Sequence, residues 1–145
     1  MEPRLSFVTL AVADIARSRA FYEALGLVAA PSSNPHVCFF QLDQGIVLAC
    51  FGQADLAQDA GRPDEKGTGV GMALAHNVRS REEVAELLRE AEAAGGRITQ
   101  PAGDTPWGVW RGYFADPDGH AWEVAYNAEV DWDARGGVWM RGTRR

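Results

Sequence analysis

Apolar and polar residues alternate most clearly near the end of the chain, in the stretch FADPDGHAWEV at residues 114–124. The Asp-Gly pair inside it lies between two apolar, aromatic-rich runs and predicts a β-hairpin, because both residue types tolerate the positive φ of tight hairpin turns. Along the second strand, alternation places Ala121, Glu123 and Ala125 on one face and Trp122, Val124 and Tyr126 on the other. One carboxylate, Glu123, is therefore expected on a face of small residues.

A different period predicts two helices. In residues 80–96, Ser80 and Glu83 form a capping box, two glycines provide the end, and one face is apolar, at Val84, Leu87, Leu88 and Ala91. A second, shorter helix is predicted over residues 17–26, where the apolar side chains recur at helical spacing and Gly26 can end the helix.

The chain also contains an internal repeat. Residues 8–19, VTLAVADIARSR, align with residues 70–81, VGMALAHNVRSR, at an offset of 70 − 8 = 62. Residues 39–50 align with residues 113–124 at an offset of 113 − 39 = 74. Each half is therefore predicted to be a strand, a helix and several antiparallel strands, a βαβββ unit. The intervening segment is rich in Gly, Pro and Asp, which is typical of a linker.

Composition limits the class of protein. A length of 145 residues suits one domain, and no apolar run approaches the roughly 20 residues needed to span a bilayer. The start of the chain has no secretory-signal pattern, so we expect a cytoplasmic protein. A net charge of -6 argues against nucleic acid as a partner and is compatible with a cationic ligand. Cys38 and Cys50 lie in apolar, strand-like runs without zinc-ligand spacing and are expected to be buried free thiols.

The two βαβββ modules, the opening FVTLAVADIARSRAFYEALGL and the closing PWGVWRGYFADPDGHAWEV together resemble the vicinal-oxygen-chelate superfamily. This superfamily contains glyoxalases, bleomycin- and fosfomycin-resistance proteins and extradiol dioxygenases. The resemblance implies an α+β fold in which two tandem βαβββ modules pair their sheets into a cup, and it implies a homodimer. The expected single domain, 1–145, divides into module one (5–51), a linker (52–69), module two (70–127) and a C-terminal extension (128–145).

The same resemblance identifies the positions that hold a metal in metal-dependent members, on the first and last strand of each module. Counting seven residues back from Asp14 gives Phe7, and the offset of 62 then gives Gly69 in the second module. Glu123 occupies the last-strand position of the second module, and the offset of 74 gives Ala49 as its counterpart in the first. A phenyl ring, a methyl group and a hydrogen supply no donor, and one carboxylate cannot hold a catalytic metal. We therefore expect no metal cofactor, with a divalent metal recruited through Glu123 and unidentified residues as the alternative.

Without a metal, the expected cup is a concave site for a small molecule. Its expected ligand-binding residues are Phe7, Ala49, Trp107, Trp110, Arg111 and Glu123. The two tryptophans either stack on a flat or cationic ligand or belong to the core. Glu123 either pairs with a cation such as Arg111 on the neighbouring strand or binds a positive group of the ligand.

Three functions are compatible with these features. The first is a glyoxalase/bleomycin-resistance-like protein that binds a small molecule, cationic or aromatic, and sequesters an antibiotic or metabolite without a complete metal site. The second is an enzyme of the superfamily, a lyase or isomerase such as a lactoylglutathione lyase, or a dioxygenase-like protein, with Glu123 as the catalytic residue. The third is an interaction module whose cup is filled by its own side chains. The sequence favours them in that order.

Overall fold

The computed structural model describes residues 7–59, 72–106 and 108–141. The chain divides into two compact units, residues 1–71 and residues 72–145, and each is described by itself. Both combine helices with β-sheet, so the fold is α+β, as predicted. In the described residues, no helix is long and apolar enough to cross a membrane.

Unit 1 is built on a three-stranded sheet with the strand order β1-β3-β2. Its elements are β1 (Phe7–Val12), α1 (Ile15–Ala24), β2 (Val37–Gln41), β3 (Val47–Gly52) and α2 (Gln53–Asp59), with a 3-10 turn at Asp43–Gly45 between β2 and β3. Strand β3 is parallel to β1 and antiparallel to β2. Before β2, where the predicted βαβββ pattern has a further strand, the chain makes two isolated bridges, Ala29 with Phe40 and Asn34 with Val37.

Helix α1 covers one face of this sheet. It begins at Asp14, whose side chain accepts a hydrogen bond from the Arg17 N–H at 3.0 Å, a favourable N-cap. Its Tyr22 ring lies 5.7 Å from the ring of Phe40 on β2. The residues buried beneath it alternate along the strands: Leu10, Val12, Cys38, Phe40, Leu48 and Cys50. Because strand residues alternate between faces, Phe7, Phe39 and Ala49 lie on the face opposite α1.

Unit 2 contains the complete βαβββ pattern, with the strand order β4-β7-β6-β5. Its elements are β4 (Ala73–Asn77), α3 (Arg81–Ala93), β5 (Arg97–Gly103), β6 (Trp110–Ala115) and β7 (Ala121–Tyr126), followed by β8 (Val130–Trp132) and β9 (Val138–Met140). Strands β8 and β9 pair with each other as a separate two-stranded sheet and lie within the expected C-terminal extension.

The predicted helix over residues 80–96 and the predicted hairpin are both confirmed. Ser80 is the N-cap of α3 and accepts a hydrogen bond from the Glu83 N–H at 3.3 Å. Between β6 and β7, the carboxylate of Asp116 accepts hydrogen bonds from the backbone N–H groups of Asp118 and His120, and Gly119 has a φ of +90°. The turn therefore has the side-chain acceptor and the glycine that its geometry needs.

The two repeat offsets have different outcomes. The offset of 74 is confirmed, because Phe39 pairs with Ala49 in one sheet as Tyr113 pairs with Glu123 in the other. The offset of 62 is wrong by four residues, since the N-caps Asp14 and Ser80 are 80 − 14 = 66 positions apart. The identical residues Ser18 and Ser80 do not occupy equivalent positions: Ser18 is buried within α1, whereas Ser80 is the N-cap of α3. The counterpart of Phe7 is therefore Ala73, the first residue of β4, and not Gly69, which lies outside the described residues.

The predicted linker 52–69 is not irregular throughout. Gly52 is the last residue of β3, and residues Gln53–Asp59 form helix α2. The physical reason is local: the segment QADLAQD is free of Gly and Pro, which are concentrated in the later part of the predicted linker. The remainder, residues 60–69, lies outside the described residues.

Helix α3 and the sheet of unit 2 meet at Gly112. A Cβ atom at this position would lie 2.5 Å from Leu88 Cδ1 and 2.9 Å from the Gln100 carbonyl oxygen. We therefore expect Gly112→Ala to destabilise the protein by about 1–3 kcal/mol through overpacking. Urea unfolding measures the loss. Gly103→Ala is the matched control, since a Cβ there meets nothing within 4 Å. Equal stability of the two variants would contradict this close packing.

Candidate functional site

One face of the sheet in unit 2 carries three neighbouring polar side chains. Helix α3 packs against β5, β6 and β7 on the face of Gly112, so alternation places Arg111 and Tyr113 of β6 on the opposite face. Tyr113 is paired in register with Glu123 of β7. We call Arg111, Tyr113 and Glu123 the polar face of unit 2. All three side chains are half-buried.

Glu123 has its predicted small neighbours. On the β4 side it pairs in register with Ala75, and along β7 it is flanked by Ala121 and Ala125. Ala75 is exposed, whereas Ala125 is buried. The side of the carboxylate that faces β4 therefore has no bulky side chain directly opposite it.

The partner of Glu123 is Tyr113, whose hydroxyl donates a hydrogen bond to Glu123 Oε2. That hydrogen bond, followed by burial and by the negative charge of Glu123, raises the pKa of Tyr113. The nearby Arg111 has the opposite, smaller effect. The phenol therefore stays protonated at neutral pH and acts as the donor, and the carboxylate acts as the acceptor.

Sequence reasoning named Arg111 as the candidate partner of Glu123 and missed Tyr113. In register, Arg111 pairs with Ala125, two residues beyond Glu123, and its guanidinium lies 5.0 Å from the centre of the Tyr113 ring. The observed loop closes between Asp116 and His120 and places Tyr113 directly opposite Glu123, whereas a two-residue Asp118-Gly119 turn would place residue 113 opposite residue 124. The signal for Tyr113 was the alternative three-residue loop with a left-handed glycine, which the same sequence allows. Register, and not opposite charge, selects the partner.

Trp110, one of the two tryptophans predicted to bind ligand, does not join this face. Trp110 lies on the same side of β6 as Gly112 by alternation, and the Arg81 guanidinium of α3 lies 5.1 Å from its ring centre. A second such pair, Arg79 over Trp132 at 4.2 Å, links the start of α3 to β8. Trp107 lies outside the described residues, so a contact between a tryptophan and a ligand stays a prediction.

The corresponding face of unit 1 is aromatic. Phe7 is 54% exposed, and its ring meets the ring of Phe39 edge-on at 6.4 Å. Together with Val47 and Gln41 these rings line a small cavity of about 180 Å³. Ala49 is buried between its register neighbours Thr9 and Phe39. We call Phe7, Phe39 and Ala49 the aromatic face of unit 1.

The positions implied to hold a metal do not fit one. They are Phe7 and Ala49 in unit 1, and Ala73 and Glu123 in unit 2 once the repeat is corrected. Of these four residues, Glu123 alone has side-chain donor atoms for a metal, and one of its two carboxylate oxygens already accepts a hydrogen bond from Tyr113. Elsewhere in the described residues, no three or more His, Cys, Asp or Glu side chains are grouped to hold an ion.

The model of the Glyoxalase/Bleomycin resistance protein/Dioxygenase superfamily matches residues 4–124. The chain belongs to this superfamily. Strands β8 and β9 follow the part of the chain that the superfamily model matches. None of the curated proteins compared with it matches.

Solved structures agree with this membership. A glyoxalase-related enzyme from Fulvimarina pelagi is 39% identical, with a TM-score of 0.83 over 95% of this chain and 98% of its own. A glyoxalase/bleomycin resistance protein/dioxygenase from Nocardioides is 25% identical, with a TM-score of 0.71 over 98% and 87%. A lactoylglutathione lyase from Agrobacterium tumefaciens, 21% identical with a TM-score of 0.66 over 88% and 96%, shares the fold.

The Tyr113–Glu123 hydrogen bond predicts a pH-dependent contribution to stability. At pH 8 we expect Tyr113→Phe to cost about 1 kcal/mol, the net value of one hydrogen bond. Since the folded-state pKa of Tyr113 is raised, this contribution is complete below the ordinary tyrosine pKa of 10.0 and is lost as pH rises beyond it.

Urea unfolding of both proteins at pH 8 and above pH 10 measures the change, and the stability difference between them should shrink at the higher pH. Tyr126→Phe is the control, because Tyr126 lies on β7 outside the pair. A difference that stays constant with pH would contradict the assignment.

Proposed function

We propose that this protein binds a small organic cation on the polar face of unit 2 without a catalytic metal, and that it sequesters its ligand. The observation that carries the proposal is the state of Glu123. It is a half-buried carboxylate held by the Tyr113 hydroxyl, at a position where the family's metal-dependent members have a ligand and where the other three positions have no donor.

The surroundings of Glu123 support a cationic group in the ligand. Tyr113 contacts the carboxylate from the β6 side, and the Arg111 guanidinium lies over Tyr113 on that same side. On the β4 side the register neighbour is the exposed Ala75, so no large side chain of β4 lies directly opposite the carboxylate. An ammonium or amidinium group approaching from β4 meets the negative charge without first meeting Arg111, and a charge-assisted hydrogen bond to Glu123 follows.

Bulk charge and family support the same proposal. The net charge of -6 favours the approach of cations. The family includes bleomycin-resistance proteins by name, so binding an antibiotic or a related metabolite lies within its range. We also propose a homodimer in the cytoplasm, as the resemblance and the composition lead us to expect.

The Tyr113–Glu123 pair also favours a second candidate, a metal-independent isomerase or epimerase. A positioned carboxylate can take a proton from a carbon acid, and the neighbour from Fulvimarina pelagi is described as an enzyme. Chemistry of the lactoylglutathione lyase or dioxygenase type needs metal ligands that Phe7, Ala49 and Ala73 do not supply.

Thermal unfolding with a panel of cationic aromatic compounds tests the first candidate. A ligand at one hundred times its Kd stabilises the folded protein by about 2.7 kcal/mol, and this stabilisation should vanish in Glu123→Gln. Glu86→Gln, the same substitution on an exposed residue of α3, is the matched control and should respond like the unmodified chain. A ligand that stabilises all three proteins equally would contradict a site at Glu123.

Elemental analysis of the purified chain, before and after incubation with Zn, Ni, Mn and Fe, tests the metal-free part. We expect far less than one equivalent of tightly held metal. One equivalent, lost in Glu123→Gln and retained in Glu86→Gln, would replace the proposal with metal-dependent chemistry. Deuterium incorporation into a carbon acid from D₂O, abolished by Glu123→Gln, would instead favour the isomerase.

A further inference from the structure

The two cysteines of the chain lie side by side across one strand pair. Cys38 of β2 and Cys50 of β3 are register partners in the antiparallel ladder. Both are reduced, and their exposed fractions are 1% and 0%. Since directly opposed residues point to the same face, both thiols lie under helix α1.

The hydrogen bonds around β2 show which kind of register pair this is. The Leu42 N–H donates to the Ile46 carbonyl across the turn, so Leu42 and Ile46 form a hydrogen-bonded pair. The Phe39 carbonyl accepts from Ala30 on the other side of β2, as expected for a residue that is not hydrogen-bonded to β3. Hydrogen-bonded and non-hydrogen-bonded pairs alternate, so Cys38 and Cys50 form a hydrogen-bonded pair.

This pair type sets the separation of the cysteines. Opposed Cα atoms in a hydrogen-bonded pair are about 5.5 Å apart, within the range that disulfides span. Opposed Cβ atoms are about 4.5–5.5 Å apart, whereas a disulfide has them at about 3.8 Å. Because non-hydrogen-bonded pairs are the closer kind, the Cβ atoms of Cys38 and Cys50 are at the upper end of this range and must approach by about 1.5–2 Å for the sulfur atoms to bond. Backbone hydrogen bonds already hold the two strands at contact distance, so a local twist of β2 and β3 has to bring the Cβ atoms together.

We propose that Cys38 and Cys50 are an oxidation site, converted by a peroxide or a small-molecule disulfide into a reversible intrachain disulfide across β2 and β3. With hydrogen peroxide, both thiols lose their hydrogens, one S–S bond forms, and the peroxide is reduced to two molecules of water. With oxidised glutathione, the two thiols pass their hydrogens to glutathione, and two molecules of reduced glutathione leave. This proposal does not depend on the ligand proposed for unit 2.

Burial controls the rate of this oxidation. Burial raises the pKa of the Cys38 thiol, and both cysteines are buried on the face of the sheet that α1 covers. Oxidation therefore follows local opening of the α1 cover, and partial denaturant should accelerate it.

The oxidation site is connected to the aromatic face of unit 1. Phe39 follows Cys38 and Ala49 precedes Cys50, and these two neighbours pair with each other on the opposite side of the same strands. A local twist of β2 and β3 that closes the disulfide therefore also shifts Phe39 relative to Ala49. Oxidation under α1 changes the surface on the other face.

Mass spectrometry of the full-length chain tests the proposal. The reduced protein is treated with hydrogen peroxide or oxidised glutathione in native buffer, and remaining thiols are then alkylated under denaturing conditions. We expect a monomer lighter by two hydrogens that takes up no alkylating reagent. Trypsin leaves both cysteines in residues 20–66, and cleavage at Asp43 then separates them, so a disulfide holds the two pieces together until reduction.

Three outcomes would overturn the proposal: both thiols remain alkylatable after treatment, each thiol carries glutathione or extra oxygen, or chains become linked to one another. Cys38→Ser and Cys50→Ser are the controls and should retain one alkylatable thiol without losing hydrogens. If either variant fails to fold, the result on the unmodified chain still decides.

A methyl NMR spectrum tests the connection to the aromatic face. Oxidation should move the Ala49 methyl resonance and leave that of Ala91, a buried residue of α3 in unit 2, in place. An unmoved Ala49 resonance in the oxidised chain would overturn that connection.

Discussion

The packing of one helix on one face of each sheet decides what every strand residue can do. Adjacent residues in a strand have opposite surroundings: Phe40 is buried against Tyr22 of α1, whereas Phe39 lies on the aromatic face. In unit 2, Phe114 is buried on the α3 side, whereas Tyr113 bonds to Glu123 on the polar face. Every second residue of these strands is therefore available for contacts outside the helix-covered core, and the strand register fixes which of these residues are neighbours.

Local signals in the sequence predicted much of this arrangement. The Asp-Gly turn gave the β6–β7 hairpin, and Ser80 with Glu83 gave the start of α3, because these signals act within a few residues. Sequence identity between the two halves predicted equivalent positions less well, since Ser18 is a core residue and Ser80 is a helix N-cap. Opposite charge favoured Arg111 as the partner of Glu123, whereas the sheet register brings the phenol of Tyr113 opposite the carboxylate.

The two modules have diverged at matched positions. Phe39 and Ala49 in unit 1 correspond to Tyr113 and Glu123 in unit 2, and each pair is directly opposed in its own sheet. A half-buried carboxylate is costly without a donor, so the hydroxyl of Tyr113 and the carboxylate of Glu123 stabilise each other. Where the carboxylate is replaced by the methyl group of Ala49, the opposing ring has no hydroxyl. The cross-strand pair, and not the single residue, is the unit that differs between the modules.

Because of this divergence, more than one substitution would be needed to build a metal centre at the positions that the family implies. Replacing Phe7 with histidine would add one donor to unit 1, but Ala49 on the neighbouring strand would still supply none. In unit 2, Ala73 would also need replacement, because Glu123 is the one donor among the two implied positions there. A metal site would therefore need several substitutions at once. These substitutions would also remove a stabilising contact, because the ring of Phe7 packs on the ring of Phe39 in unit 1. The same position of the repeated strand therefore carries different chemistry in each unit: in unit 1 it is a methyl group beside aromatic rings, and in unit 2 it is a carboxylate stabilised by a phenol.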